Sequence, residues 1–191
     1  MLDDFRGSAA LLVAIPAGGV PVGAAIAEAL GLPLALAPVS KVLYPWTTES
    51  GYGAVAFDGS VWLDEARMAD HALTPAQVER AIAEARAKVE RRLALLCAAP
   101  LGVEGRTVIL VDDGIAGGAT MRAAVAALRR QGPTSIVIAV PTAHQEALDA
   151  LAKVADATYC ANLRSGRSFA VADAYAEWRD LSDEEIVALL R

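Results

Sequence analysis

The sequence predicts an α/β domain with a mostly parallel sheet and helices on both faces. Apolar strand-like runs alternate with amphipathic helix patterns, and those runs are continuously apolar, as strands buried on both faces read. Two of them also end in glycine-rich turns that lead into helices. In order, "LLVAIP" supplies a strand over 11–15, a helix follows over 20–30, and "LPLALAPVS" reads as the next strand. "RTVILVDD" gives a strand over 107–111, a helix runs over 119–130, "SIVIAV" is a further strand, and a helix starts near Ala143.

Between Lys41 and Leu101 the rhythm breaks. "YGAVAF" and "VWL" are short strand-like runs with "DG" at a hairpin turn position. A long helix follows in "LTPAQVERAIAEARAKVERRLALL", where Thr74 can cap, Pro75 fits the first position, and Val78, Ile82, Ala85, Val89, Leu93 and Leu96 form one apolar stripe. Packing on the sheet is its expected role. Ser182 and Glu185 have capping-box spacing, which starts a short C-terminal helix after a tail holding Phe169, Tyr175 and Trp178. The chain therefore reads as one domain over 1–191, with an insertion at 42–100 and a tail at 161–191.

Of the 191 residues 55% are hydrophobic and 21% charged, which suits a globular chain with one well-filled core. A net charge of −6 argues against general nucleic-acid binding, since affinity for phosphate backbones comes from clustered Lys and Arg. Residues 7–27 lack charge, but "MLDDFR" is not a basic leader, and Pro16, Gly18, Gly19 and Pro21 interrupt any spanning helix, so no membrane partner is expected. Cys97 and Cys160 are far apart, outside any metal-ligand spacing, and read as buried apolar filler. A reducing cytoplasm is the default expectation.

The first glycine turn is "AIPAGGVPVG" and the second "DDGIAGGAT". Neither has a P-loop ending or a dinucleotide fingerprint, but ligands of open α/β sheets bind beyond the carboxyl ends of strands, where two such turns could hold two phosphates. Asp112 and Asp113 beside the second turn must then grip a different part of the ligand.

"VILVDDGIAGGAT" resembles the phosphoribosyl pyrophosphate (PRPP) motif of the type I phosphoribosyltransferases: four apolar residues, two acids, three variable positions and usually Thr-Gly-x-Thr. "IPAGGVP" looks like that family's pyrophosphate loop, and "VSK" like its strand-end lysine. With "TTESGYGAVAFDG" between them, the resemblance covers nearly the whole chain and is closest to a prokaryotic group of undefined substrate. It implies a three-layer α/β/α fold with the two turns side by side, and a transferase that moves a phosphoribosyl group from PRPP to a small nitrogenous acceptor. Asp112 and Asp113 would hold the ribose hydroxyls and face the charge developing on the ring. Gly114, Ile115, Ala116, Gly117, Gly118, Ala119 and Thr120 would form the 5′-phosphate loop. Ala17, Gly18, Gly19 and Lys41 would hold pyrophosphate, with Mg²⁺ bridging ligand oxygens and no direct protein ligand assigned. Dimers are common in this fold, which leaves a homodimer open.

Several positions depart from the family pattern. Gly117 stands where Ser or Thr is usual, Ala17 where many relatives carry Arg, and Ala116 where purine-salvage members of the hypoxanthine-guanine type have an Asp. The segment 44–64 resembles the flexible lid, so Trp46, Thr47, Thr48, Glu49 and Tyr52 could touch ligand. His144, at the motif's edge of the sheet, reads as a proton carrier or an inert surface residue; His71 has no nameable partner. The competing function is a non-catalytic sensor of PRPP or nucleotide, though no separate basic DNA-binding segment is visible.

Overall fold

The computed structural model describes residues 1–96, 100–166 and 169–190, so Cys97 lies outside the described residues. The chain begins with β1 (Leu11–Ala14), α1 (Gly19–Leu30) and β2 (Leu34–Leu36). An inserted unit follows: β3 (Ser40–Leu43), β4 (Gly51–Val55), β5 (Val61–Leu63), α2 (Glu65–Ala69) and α3 (Pro75–Leu96). The main layer resumes with β6 (Thr107–Val111), α4 (Ala119–Arg129), β7 (Ser135–His144), α5 (Gln145–Leu151) and β8 (Ala157–Arg164), and α6 (Asp183–Leu189) comes last.

Five strands form an all-parallel sheet in the order β2-β1-β6-β7-β8, which is the predicted α/β class. Because successive side chains point to opposite faces, Leu11, Val13, Leu110 and Ile138 join α4's Met121, Val125 and Leu128 on one side. Leu12, Ile109, Val111 and Val137 meet Leu30, Val22 and Ile26 of α1 on the other. Each Leu or Ile buried this completely contributes roughly 1.5–3 kcal/mol. The central strands thus form a stiff base, and their C-terminal ends carry the turns.

The insertion is a packed layer, not a free lid. Its antiparallel sheet β3-β4-β5 offers Ala54, Ala56 and Trp62 to the core beneath α4, while Val42, Tyr52 and Val55 pack against Ala85 and Val89 of α3. The hairpin turn is clamped as well, since Arg130 after α4 pairs with Asp58 at 2.7 Å. Tyr52, one of the residues that could have touched ligand, is fully buried beneath α3. The β3–β4 connection over 45–50 is largely exposed, as is the stretch over 65–77 from α2 into the start of α3. The α3 stripe packs as predicted, with Thr74 Oγ1 accepting from the Gln77 amide at 3.3 Å. The Ser182/Glu185 capping box of α6 is also present.

Other boundaries moved. "LPLALAPVS" is two strands in different sheets: Pro38 cannot donate to a ladder, and after it the chain leaves the parallel sheet. Lys41 therefore lies in β3 of the inserted sheet, not at the end of a core strand. β7 continues through Thr142, Ala143 and His144, which pair with Asn162, Leu163 and Arg164, so the next helix starts at Gln145 and the tail begins after Arg164. The helix α2, capped by Asp64, was not foreseen.

Candidate active site at the carboxyl ends of β1 and β6

β1 and β6 are hydrogen-bonded neighbours in parallel register, with Ala14 beside Val111, so their following turns emerge side by side. The contact between them is tight. A Cβ on Gly18 would lie 2.1 Å from Asp113 Oδ2, and one on Gly19 would lie 2.8 Å from the Val111 carbonyl oxygen and 2.9 Å from Asp112 Cα. Only glycine lets this turn rest on the acid pair. The Pro16–Ala17 peptide of the same turn is cis.

The second turn is organised by β7. Ile115 donates its N–H to the Thr142 carbonyl at 3.0 Å, and His144 returns one to the Ile115 carbonyl at 2.8 Å. Gly118 then adopts a left-handed conformation, φ 77°, and caps α4. Among the described residues the amides of Ala116, Gly117 and Gly118 donate to no protein acceptor, and Ala119 and Thr120 open the helix. This is the donor-rich end of a helix dipole, suited to an anion.

Two assignments need correction at the level of the amide. Ile115 is buried and its N–H is already used by Thr142, so it shapes the loop without donating to a ligand. Gly19 donates to the Ile15 carbonyl at 3.1 Å, which leaves the amides of Ala17 and Gly18 as the ones without a protein acceptor among the described residues.

Asp112 accepts the Asp113 amide through Oδ1 at 2.9 Å. Burial, and then the Asp113 charge, push the Asp112 carboxyl well above its ordinary range, while Lys41 draws it back. The Lys41 charge thus acts on Asp112, although its Nζ also donates to the Glu49 carbonyl at 3.4 Å. A ligand hydroxyl donating to Asp112 would favour its ionised form.

Four side chains not assigned from the sequence frame the site. Tyr175 reaches from the tail and donates to the Asp113 carbonyl at 2.5 Å; burial, then the charges of Asp113 and Asp112, push its hydroxyl up to about 12. Val171 packs behind Gly114, 2.7 Å from where a Cβ would sit. Arg92 of α3, with a side chain only 13% exposed, bridges the Pro16 carbonyl and Asp183, each at 3.0 Å. Its signal was a charge at stripe spacing, three residues after Val89. Arg67 of α2 lies over Gly117, its Nη1 3.4 Å from the position of an added Cβ. No local pattern announces that contact.

The remaining candidates lie elsewhere. His144 Nε2 shares a hydrogen bond with the Gly166 carbonyl at 2.8 Å, and Phe169 packs nearby. His71 stands edge-on to Tyr44, 4.6 Å between centroids, and Trp46, 60% exposed, stacks on Tyr44 at 5.2 Å. Trp178 is exposed. Cys160 packs against the core. Among the described residues no three His, Cys, Asp or Glu side chains gather as a metal site, and no helix is long and apolar enough to cross a membrane.

A family model described as "Phosphoribosyl transferase domain" matches residues 1–171. The chain belongs to this phosphoribosyltransferase family. Two Mycobacterium tuberculosis proteins, named "Putative phosphoribosyl transferase Rv0571c" and "Putative phosphoribosyl transferase MT0597", are each 33% identical over 99% of the chain. The chain spans 43% of the length of these relatives. The crystal structure of TT1426 from Thermus thermophilus, 31% identical, superposes with a TM-score of 0.74 over 99% of this chain and 90% of that one. The phosphoribosyltransferase fold and a pentosyltransferase family follow from the match.

Proposed function

We propose that this phosphoribosyltransferase binds Mg-PRPP and transfers its phosphoribosyl group to a nitrogen acceptor, releasing pyrophosphate. The observation that carries the reading is the contact of Gly18 with Asp113, which brings two amide-lined turns together over one acid pair. PRPP has the matching order of groups: a phosphate at each end and ribose hydroxyls between. In this reading Ala116 to Thr120 hold the 5′-phosphate, Asp112 and Asp113 accept from the 2′ and 3′ hydroxyls, and Ala17, Gly18 and Lys41 meet the pyrophosphate.

The C1–oxygen bond to pyrophosphate breaks and takes its electron pair with the leaving group. The acceptor nitrogen forms the new C1–N bond with its lone pair and loses a proton. Positive charge on the ribose ring then faces the two carboxylates, already placed by the β6 turn. Among the described residues the two acids have no third carboxylate, imidazole or thiol gathered with them, a donor set that would suit an ion carried in on the substrate. Held beside Asp112 and Asp113, Mg²⁺ would supply positive charge to balance the departing pyrophosphate.

Calorimetry with Mg-PRPP tests the reading. Binding is expected, and Asp113→Asn should weaken it by about tenfold or more, the scale of a lost hydrogen bond to a charged group. An unchanged isotherm would remove Asp113 from the site. Pyrophosphate release across purines, pyrimidines and amines separates transferase from sensor: release with one acceptor establishes transfer, whereas firm binding with none favours sensing.

A further inference from the structure

Gly117 brings no side chain to the loop after β6, and the structure places an arginine beside it. The Arg67 guanidinium turns its Nη edge toward this glycine: from an added Cβ, Nη1 would be 3.4 Å, Nη2 3.5 Å and Cζ 3.8 Å away. Its carboxylate partner, Asp64, engages Nε at 3.4 Å, and neither Nη donates to a described residue. The arginine is also held from behind. Asp64 caps α2 through the Arg67 amide at 3.1 Å, and Tyr44 donates its hydroxyl to the Arg67 carbonyl at 3.3 Å. Two guanidinium donors are thus presented to the loop whose own amides at Ala116, Gly117 and Gly118 also face no protein acceptor.

We propose that Arg67 reads the terminal phosphate of a ribose 5-phosphate group through its Nη donors, where Gly117 brings no side chain. The inference rests on the phosphoribosyl reading of the site and deepens it at one end. A forked, permanently charged donor suits two phosphate oxygens, and a lysine cannot reproduce that geometry. The glycine and the arginine belong together, because a side chain at 117 would meet the guanidinium at van der Waals contact and compete with it for the same oxygens.

The test is calorimetry of wild type, Arg67→Gln, Arg67→Lys and Asp113→Asn with three probes: PRPP with Mg²⁺, ribose 5-phosphate, and pyrophosphate with Mg²⁺. Arg67→Gln should weaken ribose 5-phosphate and PRPP by about tenfold or more, leave pyrophosphate unchanged, and be partly rescued in Arg67→Lys. Gly117→Ser should restore affinity in the Arg67→Gln background and add little to wild type, a non-additivity that a merely structural arginine would not produce. Equal ribose 5-phosphate affinity in wild type and Arg67→Gln, with Asp113→Asn still impaired, overturns Arg67 and spares the site. Loss of pyrophosphate binding together with ribose 5-phosphate in Arg67→Gln also overturns it. Failure of wild type to bind any of the three overturns the phosphoribosyl reading itself.

Discussion

The two glycine turns look alike in sequence and are built for different reasons. In the turn after β1, Gly18 and Gly19 are demanded from below: the acid pair and the β6 backbone leave no room for a Cβ, and Arg92 fixes the preceding carbonyl. In the turn after β6, Gly117 is exposed and faces only a side chain with space to move, while Gly118 answers a left-handed backbone. A crowded glycine transmits any change directly to the acid pair, and an open one does not.

The largest effect is expected at the crowded turn. Gly18→Ala drives a methyl group into Asp113 Oδ2, so the turn and the acid must part; a strain of about 3 kcal/mol corresponds to roughly hundredfold weaker Mg-PRPP binding by calorimetry. Gly117→Ala should change Mg-PRPP affinity by less than about threefold, since its Cβ only reaches contact with a flexible guanidinium. Equal losses in the two variants would erase the distinction. Next comes the support beneath the first turn. Arg92→Leu leaves Asp183 and the Pro16 carbonyl without their shared donor, and thermal unfolding should show about 2 kcal/mol lost, below the value for a fully buried pair because some solvent reaches both groups.

Asp112 sharpens the comparison through pH. Its folded-state carboxyl is raised above the unfolded value, so the protonated form stabilises the fold, and that stability is lost as pH rises through the folded value. Asp112→Asn should therefore be about 1 kcal/mol more stable than wild type at pH 7, with the gap closing as pH falls to about 4. Melting curves at both pH values check the sign, and a gap that widened on acidification would refute it. Tyr175→Phe removes one hydrogen bond to the Asp113 carbonyl and should likewise change thermal stability by about 1 kcal/mol, here as a loss.

Much of this was legible because the signals were local. The β6 run, the acid pair and the start of α4 are contiguous, and the α3 stripe repeats at helical spacing, so pattern and capping chemistry sufficed. The missed elements depend on partners distant in sequence. Tyr52 alternates like a lid-strand residue, yet α3 buries it; "LPLALAPVS" reads as one strand, yet Pro38 marks a change of sheet; Ile115 sits inside the loop motif, yet Thr142 takes its amide.

Sequence alone therefore determined the α/β class, the two turns and the acid pair, because backbone preference and hydrophobic period act over a few neighbouring residues. Tertiary structure alone decided which glycine is crowded, which amides remain to meet a ligand, and which arginines reach the turns. Those properties arise where parallel strands distant in the chain are brought side by side, and no short stretch of residues contains them.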